Sequence, residues 1–580
     1  MEWLLVMTLA LAQSTPPQTG FPGTPVGHIP KVEIAWNRFY DLPELYAHFD
    51  RLAAAYPTLV KSQVIGHSIE NREIRVYTLN DPATGADTEK PAMWIDGNVH
   101  GNEVQAGEAV LYTLWYLLEN RATNDDIGRL VSNSAFYFCP SQNPDGRAHW
   151  FGKAHDNSSS RTGVQPWDDD GDGRFDEDPP NDLDGDGMIT QMRKYVPGQG
   201  THRQDPDDPR VLTPVAPNDE GRKGDWIMLG EEGLDDDGDG RVNEDEVGGY
   251  DMNRAWPSMW EPNHVQYGAG PFPLYWPEPL SVARFVLAHP NIAALQSFHN
   301  AGGMILRGPG AESYGEYERA DIRVFDELGK TGEKMLPFYR YMVIWKDLYT
   351  VYGGFATWGY EGLGIISFTN ELWSRDQQWG DGKNKPESTD RYFFDDKLLA
   401  GSGFVDWHPI DHPLYGKIEV GGWRKDVGRV PPTFMIEEML HRNAMFNIEH
   451  AKAMPLVTIT DATTTALGDG LLAVDVVFKN LHAIPTRTAQ AAKRKIGVPD
   501  TLTISGKDID VLAGGFRTDR WRPERIQLAE RNPARLVREA GIGSREEVRV
   551  RWFVRGKGDR AVVSWQGEKG RDQSLEIKLR

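Results

Sequence analysis

Three side chains in this sequence have the types and the settings that a catalytic zinc ion uses. His100 and Glu103 are three residues apart in a Gly/Asn-rich stretch that follows the apolar run 92–95. His299 follows a second apolar run, 292–298. Catalytic zinc takes three nitrogen or oxygen ligands from the protein and keeps a fourth position open. We therefore predict a zinc site made of His100, Glu103 and His299.

Glu371 is the candidate for the base that such a site needs. It stands near the end of the apolar run 364–372, where a carboxylate is costly to bury unless it is paired or used. A zinc-activated water molecule requires a nearby carboxylate to take its proton. The sequence therefore predicts that Glu371 is a catalytic residue beside the metal.

The elements that must position these residues are buried strands followed by turns and helices. Each of the two apolar runs before the predicted ligands leads into a polar turn that contains glycine, and open α/β sheets carry their ligand-binding residues at such strand ends. Residues 104–119 have leucines, tyrosines and Trp115 at a spacing that gives a helix one buried face. These patterns predict an α/β fold with the site at the carboxyl ends of its strands.

From about residue 35 to residue 375 the chain resembles the zinc carboxypeptidases of the carboxypeptidase A type. The three predicted ligands match the metal ligands of that family in order and setting, and the segment 349–371 aligns with the family without a gap. The resemblance implies a mixed, mostly parallel sheet flanked by helices. It also implies a bound zinc ion with Glu371 as the general base.

The resemblance further implies which residues bind the substrate. The stretch 250–256 is similar to the Asn-Arg element that binds the terminal carboxylate of the substrate, which gives this role to Asn253 and Arg254. Tyr349 corresponds to the mobile substrate-binding tyrosine. Ala356 corresponds to the floor of the side-chain pocket, and a small apolar residue there favours an apolar or aromatic C-terminal residue in the substrate.

The arginine that polarises the scissile carbonyl has two candidates. The stretch 191–194 resembles the family segment that carries this arginine, which points to Arg193. Arg147, in the stretch 143–147, is its competitor.

Together these residues predict a zinc metallocarboxypeptidase that hydrolyses the C-terminal peptide bond of peptides or proteins. One alternative is a zinc amidase or deacylase of the same scaffold, which would act on peptidoglycan stem peptides or acylated amino acids. Another is a non-catalytic, calcium-binding surface protein. The presence of Arg254 and Tyr349 favours the carboxypeptidase over the amidase. The full set of ligands and base disfavours a protein without activity.

Residues 150–248 form an insertion with three stretches rich in Asp and Gly. Alternating aspartates, with glycine at the sixth position, can turn several carboxylates onto one calcium ion. The copy that starts at Asp235 also has a glutamate at its twelfth position. The alternative is an acidic loop that is only solvated. The repetition of the pattern favours structural calcium, with these candidate ligands: Asp168, Asp170, Asp172, Asp235, Asp237, Asp239 and Glu246.

Composition restricts the partners of the 580-residue chain. Its formal net charge of −22 disfavours binding to nucleic acids or to anionic membranes. After the N-terminus, no stretch reaches the roughly 18 apolar residues of a membrane-spanning helix. The single cysteine, Cys139, stands in an apolar run, so we expect a buried core residue and no disulfide within the chain.

The two ends of the chain predict export and a second domain. Residues 1–12 resemble a signal peptide with an Ala-x-Ala cleavage site, and a Pro-rich linker follows at 13–34, which predicts a secreted or periplasmic protein. The catalytic domain is expected at 35–455. Strand patterns with Gly, Asn and Asp turns predict an all-β sandwich at 456–580.

Overall fold

A computed structural model describes residues 29–154, 161–168, 171–216, 223–375, 390–519, 521, 522 and 524–579. The predicted signal peptide and the part of the predicted linker before residue 29 lie outside the described residues.

The strands of this part of the chain fall into four sheets. In chain order they are β1 (Val60–His67), β2 (Glu73–Leu79), β3 (Ala92–Gly97), β4 (Ala135–Cys139), β5 (Gln191–Gly200), β6 (His202–Gln204), β7 (Leu212–Pro214), β8 (Gly224–Glu231), β9 (Ile292–Asn300), β10 (Met304–Arg307), β11 (Arg340–Val343), β12 (Ile366–Leu372), β13 (Phe404–His412), β14 (Gly416–Trp423), β15 (Val457–Gly468), β16 (Leu471–Asn480), β17 (Asp500–Ser505), β18 (Ile509–Arg517), β19 (Ile526–Leu528), β20 (Arg535–Arg538), β21 (Glu547–Gly556), β22 (Arg560–Gln566) and β23 (Gln573–Lys578).

The α-helices of the described residues lie mostly in the first three quarters of the chain. They are α1 (Leu42–Ala55), α2 (Gln105–Asn120), α3 (Asp125–Asn133), α4 (Pro144–Gly152), α5 (Pro277–Ala288), α6 (Arg319–Met335), α7 (Phe355–Glu361), α8 (Asp390–Leu398), α9 (Ile436–Lys452) and α10 (Ala489–Arg494). Among the described residues, no helix combines the length and the hydropathy that a membrane-spanning segment requires.

The central sheet has eight strands in the order β1-β2-β4-β3-β9-β12-β10-β11. The pairs β3–β4, β3–β9, β9–β12 and β10–β11 are parallel, and the other three pairs are antiparallel. β3 and β9 are buried along their whole length, as expected of strands that helices cover on both faces.

Helices pack on both faces of this sheet because its strands present apolar side chains to both sides. Met93 and Ile95 of β3 lie in the core that contains residues of α1, α2, α6 and α9. Trp94, between them, lies in the opposite core with residues of α5 and α7. Successive side chains of a strand point to opposite faces, so one short apolar run supplies both cores. Cys139 is buried in the second core.

A second sheet, of six strands, joins the insertion to a distant part of the chain. Its order is β13-β14-β5-β8-β6-β7. β14 pairs antiparallel with β5, with Glu419 opposite Arg193. The insertion therefore does not fold as a separate loop, because residues from 404 to 423 complete its sheet. The sequence patterns did not predict this pairing.

The C-terminal part of the chain contains two antiparallel sheets, with the orders β15-β16-β21-β18-β19 and β20-β17-β22-β23. Their facing sides share one core, in which Val550 and Trp552 of the first sheet lie with Leu502 and Trp565 of the second. The predicted fold class, a mixed α/β sheet with C-terminal antiparallel sheets, is confirmed. Lys569 attaches this part to the central sheet, since its Nζ donates to the carbonyl oxygen of Ile292 at 2.5 Å.

Candidate active site

The first two predicted ligands lie in a turn between β3 and α2. Asn98 begins this turn with φ of 51°, a left-handed conformation that asparagine tolerates better than most residues. Its side-chain amide donates to the carbonyl oxygens of His100 at 3.3 Å and of Glu103 at 2.9 Å. The Asn98 side chain therefore stabilises the backbone of the turn, and this fixes the backbone from which both ligand side chains extend.

The third predicted ligand comes from the neighbouring strand. β9 runs parallel to β3, with Phe298 opposite Gly97, so His299 leaves the sheet next to the turn that carries His100 and Glu103. The carboxyl ends of two adjacent parallel strands thus bring the three side chains to one place.

The three side chains converge in a buried group. Glu103 Oε1 lies 2.9 Å from His100 Nδ1, and Glu103 Oε2 lies 2.9 Å from His299 Nδ1. Each of the three residues is at most 3% exposed. Burial opposes ionisation of Glu103, but the two imidazoles outweigh burial and hold the pKa of this carboxyl well below its usual range. Three buried nitrogen and oxygen donors within 4.8 Å of one another form a set that fits zinc.

Asp251 supports the first histidine from behind. Its Oδ1 lies 2.9 Å from His100 Nε2 and also accepts from the Asn253 backbone N–H at 2.8 Å. A carboxylate on the outer nitrogen of a metal-binding histidine fixes the orientation and the tautomer of the ring. The sequence analysis missed Asp251, although it stands two residues before Asn253 in a stretch already singled out.

Glu371 faces this group from β12. The strand runs parallel to β9 with Glu371 opposite His299, and the side chain is partly exposed to a cleft that His100 and His299 also line. Removal from bulk water raises the pKa of Glu371 to about 7, and the nearby Glu103 adds to this effect. His299, Arg161 and Arg429 oppose it.

The predicted substrate-binding residues line the same cleft. Asn253, Arg254 and Tyr349 are all among its lining residues, and Tyr349 is 53% exposed. Asn253 Oδ1 accepts from the Phe355 backbone N–H at 2.8 Å, which joins the Asn-Arg stretch to the start of α7. Ala356 lines the cleft as well. The remaining lining residues are mostly apolar and include Leu306, Ile344, Leu348 and Val351.

Arg161 is a further cleft residue that the sequence analysis missed. Its Nη1 lies 3.1 Å from Glu103 Oε1 and its Nη2 lies 3.2 Å from Asp251 Oδ2. The side chain is 31% exposed, so part of the guanidinium faces the cleft. Arg161 is the only arginine between Arg147 and Arg174, but no local pattern distinguishes it.

Arg193 lies elsewhere, which corrects the expectation that it faces the scissile carbonyl. Its guanidinium is stacked between the rings of Trp226 and Trp407, at 4.0 and 4.3 Å from their centroids. It also pairs with Glu419 at 2.7 Å. Two tryptophan faces and a carboxylate bind this cation within the six-stranded sheet, and Arg193 is not among the described residues that line the cleft.

Arg147 does not face the cleft either. It is fully buried and donates to Glu108 Oε1 at 2.6 Å, to Asn98 Oδ1 at 2.6 Å and to the Val104 carbonyl oxygen at 2.7 Å. Arg147 therefore supports the ligand turn from below.

The acidic stretches of the insertion lie close together. Four groups of carboxylates have ligand atoms within 4.8 Å of one another: Asp235, Asp237 and Asp239; Asp172, Glu177 and Asp237; Asp178, Asp237 and Glu244; and Asp182, Asp184 and Glu232. Partial burial and the neighbouring Asp178 raise the pKa of Glu244 to about 7.

Not every predicted calcium ligand takes part in these groups. Asp168 accepts hydrogen bonds from the backbone of its own loop, at Gly171 and Gly173. Glu246 belongs to none of the groups found in the described residues. Asp170 lies outside the described residues.

A model of the zinc carboxypeptidase family matches residues 45–172 and 229–392, about half of the chain. The chain belongs to the zinc carboxypeptidase family. The match omits residues 173–228, which include Arg193, and ends before the strands from 404 to 423 that complete the insertion sheet. Residues 456–578 match the model of a domain of unknown function.

Curated carboxypeptidases match the chain over short stretches. Carboxypeptidase B of Astacus astacus is 39% identical over 116 residues, which are 20% of this chain and 36% of that protein. Carboxypeptidase D of Mus musculus is 32% identical over 125 residues, which are 22% of this chain and 9% of that protein. The chain thus spans about a third or less of the length of these relatives.

Solved structures of carboxypeptidases are similar over a larger part of the chain. Carboxypeptidase A from Helicoverpa armigera is 16% identical, with a TM-score of 0.43 over 72% of this chain and 74% of that chain. A metallo-carboxypeptidase from Burkholderia cenocepacia is 13% identical, with a TM-score of 0.35 over 71% of this chain and 69% of that chain.

Proposed function

We propose that this member of the zinc carboxypeptidase family is a zinc metallocarboxypeptidase that removes the C-terminal residue of peptides. The observation that carries the proposal is one cleft lined by His100, His299 and Glu371 together with two arginines, Arg161 and Arg254. A zinc ion held by the three predicted ligands would supply Lewis acidity, which activates a water molecule and a carbonyl group.

Glu371 is the proposed general base. Its carboxylate would take a proton from the attacking water and pass it to the leaving amine nitrogen. A base works best when its pKa is near the working pH, because it is then ionised yet still basic. The raised pKa of Glu371, about 7 without metal, supports this role.

Arg161 replaces Arg193 as the proposed residue that stabilises the oxyanion. Its guanidinium is partly exposed to the cleft and lies beside the metal ligand Glu103. A donor aimed at the developing negative charge contributes about 3–4 kcal/mol to transition-state stabilisation in well-studied hydrolases. Arg193 lacks this access because two tryptophans enclose it.

Arg254, Asn253 and Tyr349 are the proposed partners of the substrate carboxylate. A guanidinium can bind a carboxylate with two parallel hydrogen bonds, which fixes its direction as well as its position. Arg254 is held in place by a hydrogen bond from its Nη1 to the Asn253 carbonyl oxygen at 2.9 Å. A fixed binding site for the terminal carboxylate beside the predicted zinc ligands supports cleavage of the last peptide bond before a free C-terminus.

The side-chain pocket favours an apolar C-terminal residue. Beyond the carboxylate site, the cleft lining includes the apolar residues Leu306, Ile344, Leu348, Val351 and Phe355 and the uncharged Thr357 and Thr369, and Ala356 contributes no charge. A basic substrate side chain would lose its hydration in such a pocket without gaining a partner. We therefore propose apolar or aromatic residues as the ones removed.

The test uses peptides that differ only in their C-terminal group. The purified protein is incubated with a peptide that ends in leucine, with its amidated form and with a form that ends in lysine, and the products are followed by mass spectrometry. We expect loss of single residues from the free leucine peptide only, abolished in Glu371→Gln and after chelation. Equal cleavage of the free and the amidated peptide would favour the zinc amidase or deacylase. If no peptide is cleaved in a chelator-sensitive way, the non-catalytic alternative is favoured.

Calcium binding by the acidic loops and export from the cell stay predictions. The facing carboxylates of Asp178 and Glu244 support a bridging cation, since such groups repel one another without one. Calcium is available outside the cell, so the two predictions support each other.

A further inference from the structure

Arg429 lies in a segment that passes beside the metal centre after β14. This segment is outside the residues that match the family model. Its neighbour Val430 is buried in a small core with Val104 and Trp150. Because Val104 directly follows the predicted ligand Glu103, the segment packs on the backbone that carries this ligand.

The main chain of Arg429 connects the two parts of the ligand set. Its carbonyl oxygen accepts from the side-chain amide of Asn300 at 3.1 Å and from that of Gln105 at 3.4 Å. Asn300 directly follows the ligand His299, and Gln105 is two residues after the ligand Glu103. One carbonyl group thus joins the turn after β3 to the end of β9.

The side chain of Arg429 contacts the same two segments. Its Nη2 donates to the Asn300 carbonyl oxygen at 2.7 Å and lies 3.5 Å from Glu103 Oε1. Arg161 approaches the same carboxylate oxygen from the cleft at 3.1 Å. Glu103 Oε1 therefore faces two guanidinium groups, and one of them comes from a segment that the family match does not cover.

We propose that Arg429 is a positioning residue for the zinc centre, which holds the Glu103 carboxylate and the end of β9 in the arrangement that binds the metal. The inference rests on the proposed zinc site. Residues that orient metal ligands from outside typically change the metal affinity about 10–100-fold when they are replaced. Arg429 is not among the described residues that line the substrate cleft, so it acts on the reaction through Glu103 and Asn300.

The experiment compares metal binding by variants of the full chain. Zinc affinity is measured by competition with a chromophoric chelator, and the ligand geometry is followed by the visible absorption of the cobalt-substituted protein. We expect about tenfold or more weakening of zinc affinity in Arg429→Met, with an altered cobalt spectrum. Arg429→Lys keeps the charge near Glu103, so we expect it to recover part of the affinity.

Two control variants separate the role of the guanidinium from the packing of the segment. Arg424→Met removes an arginine of the same segment that pairs with the exposed Asp426, and we expect wild-type zinc affinity. Val430→Ala loosens the packing of the segment and leaves the guanidinium. We expect it to lower the melting temperature of the metal-free protein while the cobalt spectrum stays as in the wild type.

Two results would overturn the inference. One is a zinc affinity and a cobalt spectrum of Arg429→Met that match the wild type. The other is a loss of affinity in Val430→Ala equal to that in Arg429→Met, since packing would then explain both. A wild-type protein that binds no zinc would instead overturn the proposed function, and the titration of the wild type separates that failure from the other two.

Discussion

The proposed metal centre, which consists of His100, Glu103 and His299, and the acidic loops of the insertion both contain carboxylates, but the charge of these carboxylates is balanced in different ways. In the metal centre the carboxylate of Glu103 is buried and lies between two imidazoles and two guanidiniums. In the loop at 235–240, Asp235 accepts hydrogen bonds from the backbone of Gly238 and Gly240. A buried charge requires charged or hydrogen-bonding partners, whereas a charge in solvent is stabilised by water.

The pKa values show the same difference. The two imidazoles hold the pKa of Glu103 well below its usual range although burial opposes this. Partial burial and Asp178 raise the pKa of Glu244 to about 7. Glu103 thus has cations of the protein on several sides, whereas Glu244 faces the carboxylate of Asp178. The cations that the loops do contain are exposed: Arg174 lies 3.4 Å from Asp237, and Arg241 lies 3.6 Å from Asp239. The two regions therefore differ in how much of the countercharge of a carboxylate is buried together with it.

The largest effect is expected when a ligand of the metal centre is removed. His299→Ala should abolish zinc binding and peptide hydrolysis, because two remaining donors do not hold a catalytic zinc ion. Metal analysis of the dialysed protein and a hydrolysis assay measure this. Asp237→Asn serves as the control in the other region and should keep one zinc per chain. Loss of zinc from Asp237→Asn as well would mean that the two regions are not independent.

Glu371→Gln should lower kcat by about 10²–10⁴-fold while zinc binding stays normal. The substituted amide keeps the shape of the side chain but cannot accept the proton of the attacking water. Steady-state kinetics and metal analysis of the same preparation measure both quantities. An active Glu371→Gln variant would show that another group takes the proton.

The two arginine candidates should differ in kinetics. Arg161→Met should lower kcat by about 10²–10³-fold, because it removes a donor beside the metal centre. Arg193→Met should leave kcat within about twofold and lower the melting temperature, since it removes a cation that two tryptophans and Glu419 bind within the insertion sheet, away from the cleft. The reverse result would restore Arg193 as the residue that stabilises the oxyanion.

The pH dependence of kcat/KM tests the environment of Glu371. The ionised carboxylate is the active form, so activity should fall as the pH drops below the pKa, by about tenfold per pH unit. The environment of the metal-free site raises that pKa to about 7. A bound cation favours the carboxylate and therefore lowers the pKa below this value. We therefore expect the acid limb of the profile below pH 7. An acid limb clearly above pH 7 would contradict this assignment.

The smallest of these effects is expected from calcium, which should change the stability of the protein but not its activity. Binding in the acidic loops at millimolar calcium should add about 1–3 kcal/mol to the free energy of unfolding. This corresponds to a few degrees in melting temperature, which calorimetry can measure. The increase should disappear in Asp237→Asn, because Asp237 belongs to three of the carboxylate groups. An unchanged melting temperature in the wild type would remove the calcium prediction.

Local sequence patterns predicted an α/β fold with a site at the carboxyl ends of its strands, whereas the mixed, mostly parallel sheet was implied by the family resemblance. His100, Glu103 and His299 follow apolar runs, and the carboxyl ends of parallel strands meet at one edge of a sheet. The partners of Arg193 were not predictable in this way. Trp226 and Trp407 are far from Arg193 and from each other in sequence, and no local pattern indicates which rings enclose a given guanidinium.

The positions of Arg161 and Arg429 beside Glu103 were not predictable from the sequence either. Neither stands in a recognisable motif, yet both approach Glu103 Oε1. Each lies in a loop, and the course of that loop past Glu103 depends on how the whole domain packs. Asp251, in contrast, stands two residues before Asn253, in the stretch that resembles the Asn-Arg element. A carboxylate in that stretch could have suggested a partner for His100.

The pairing of β5 with β14 also affects how the protein must be made. The end of β5 at Gly200 and the start of β14 at Gly416 are 216 residues apart. A ribosome that adds roughly 5–20 residues per second needs about 10–40 s to synthesise that stretch. During this time the edge of β5 that later pairs with β14 has no partner, and open strand edges promote aggregation. A chain shortened before Gly416 would keep that edge open permanently, so the yield of soluble protein should depend on residues far from the cleft.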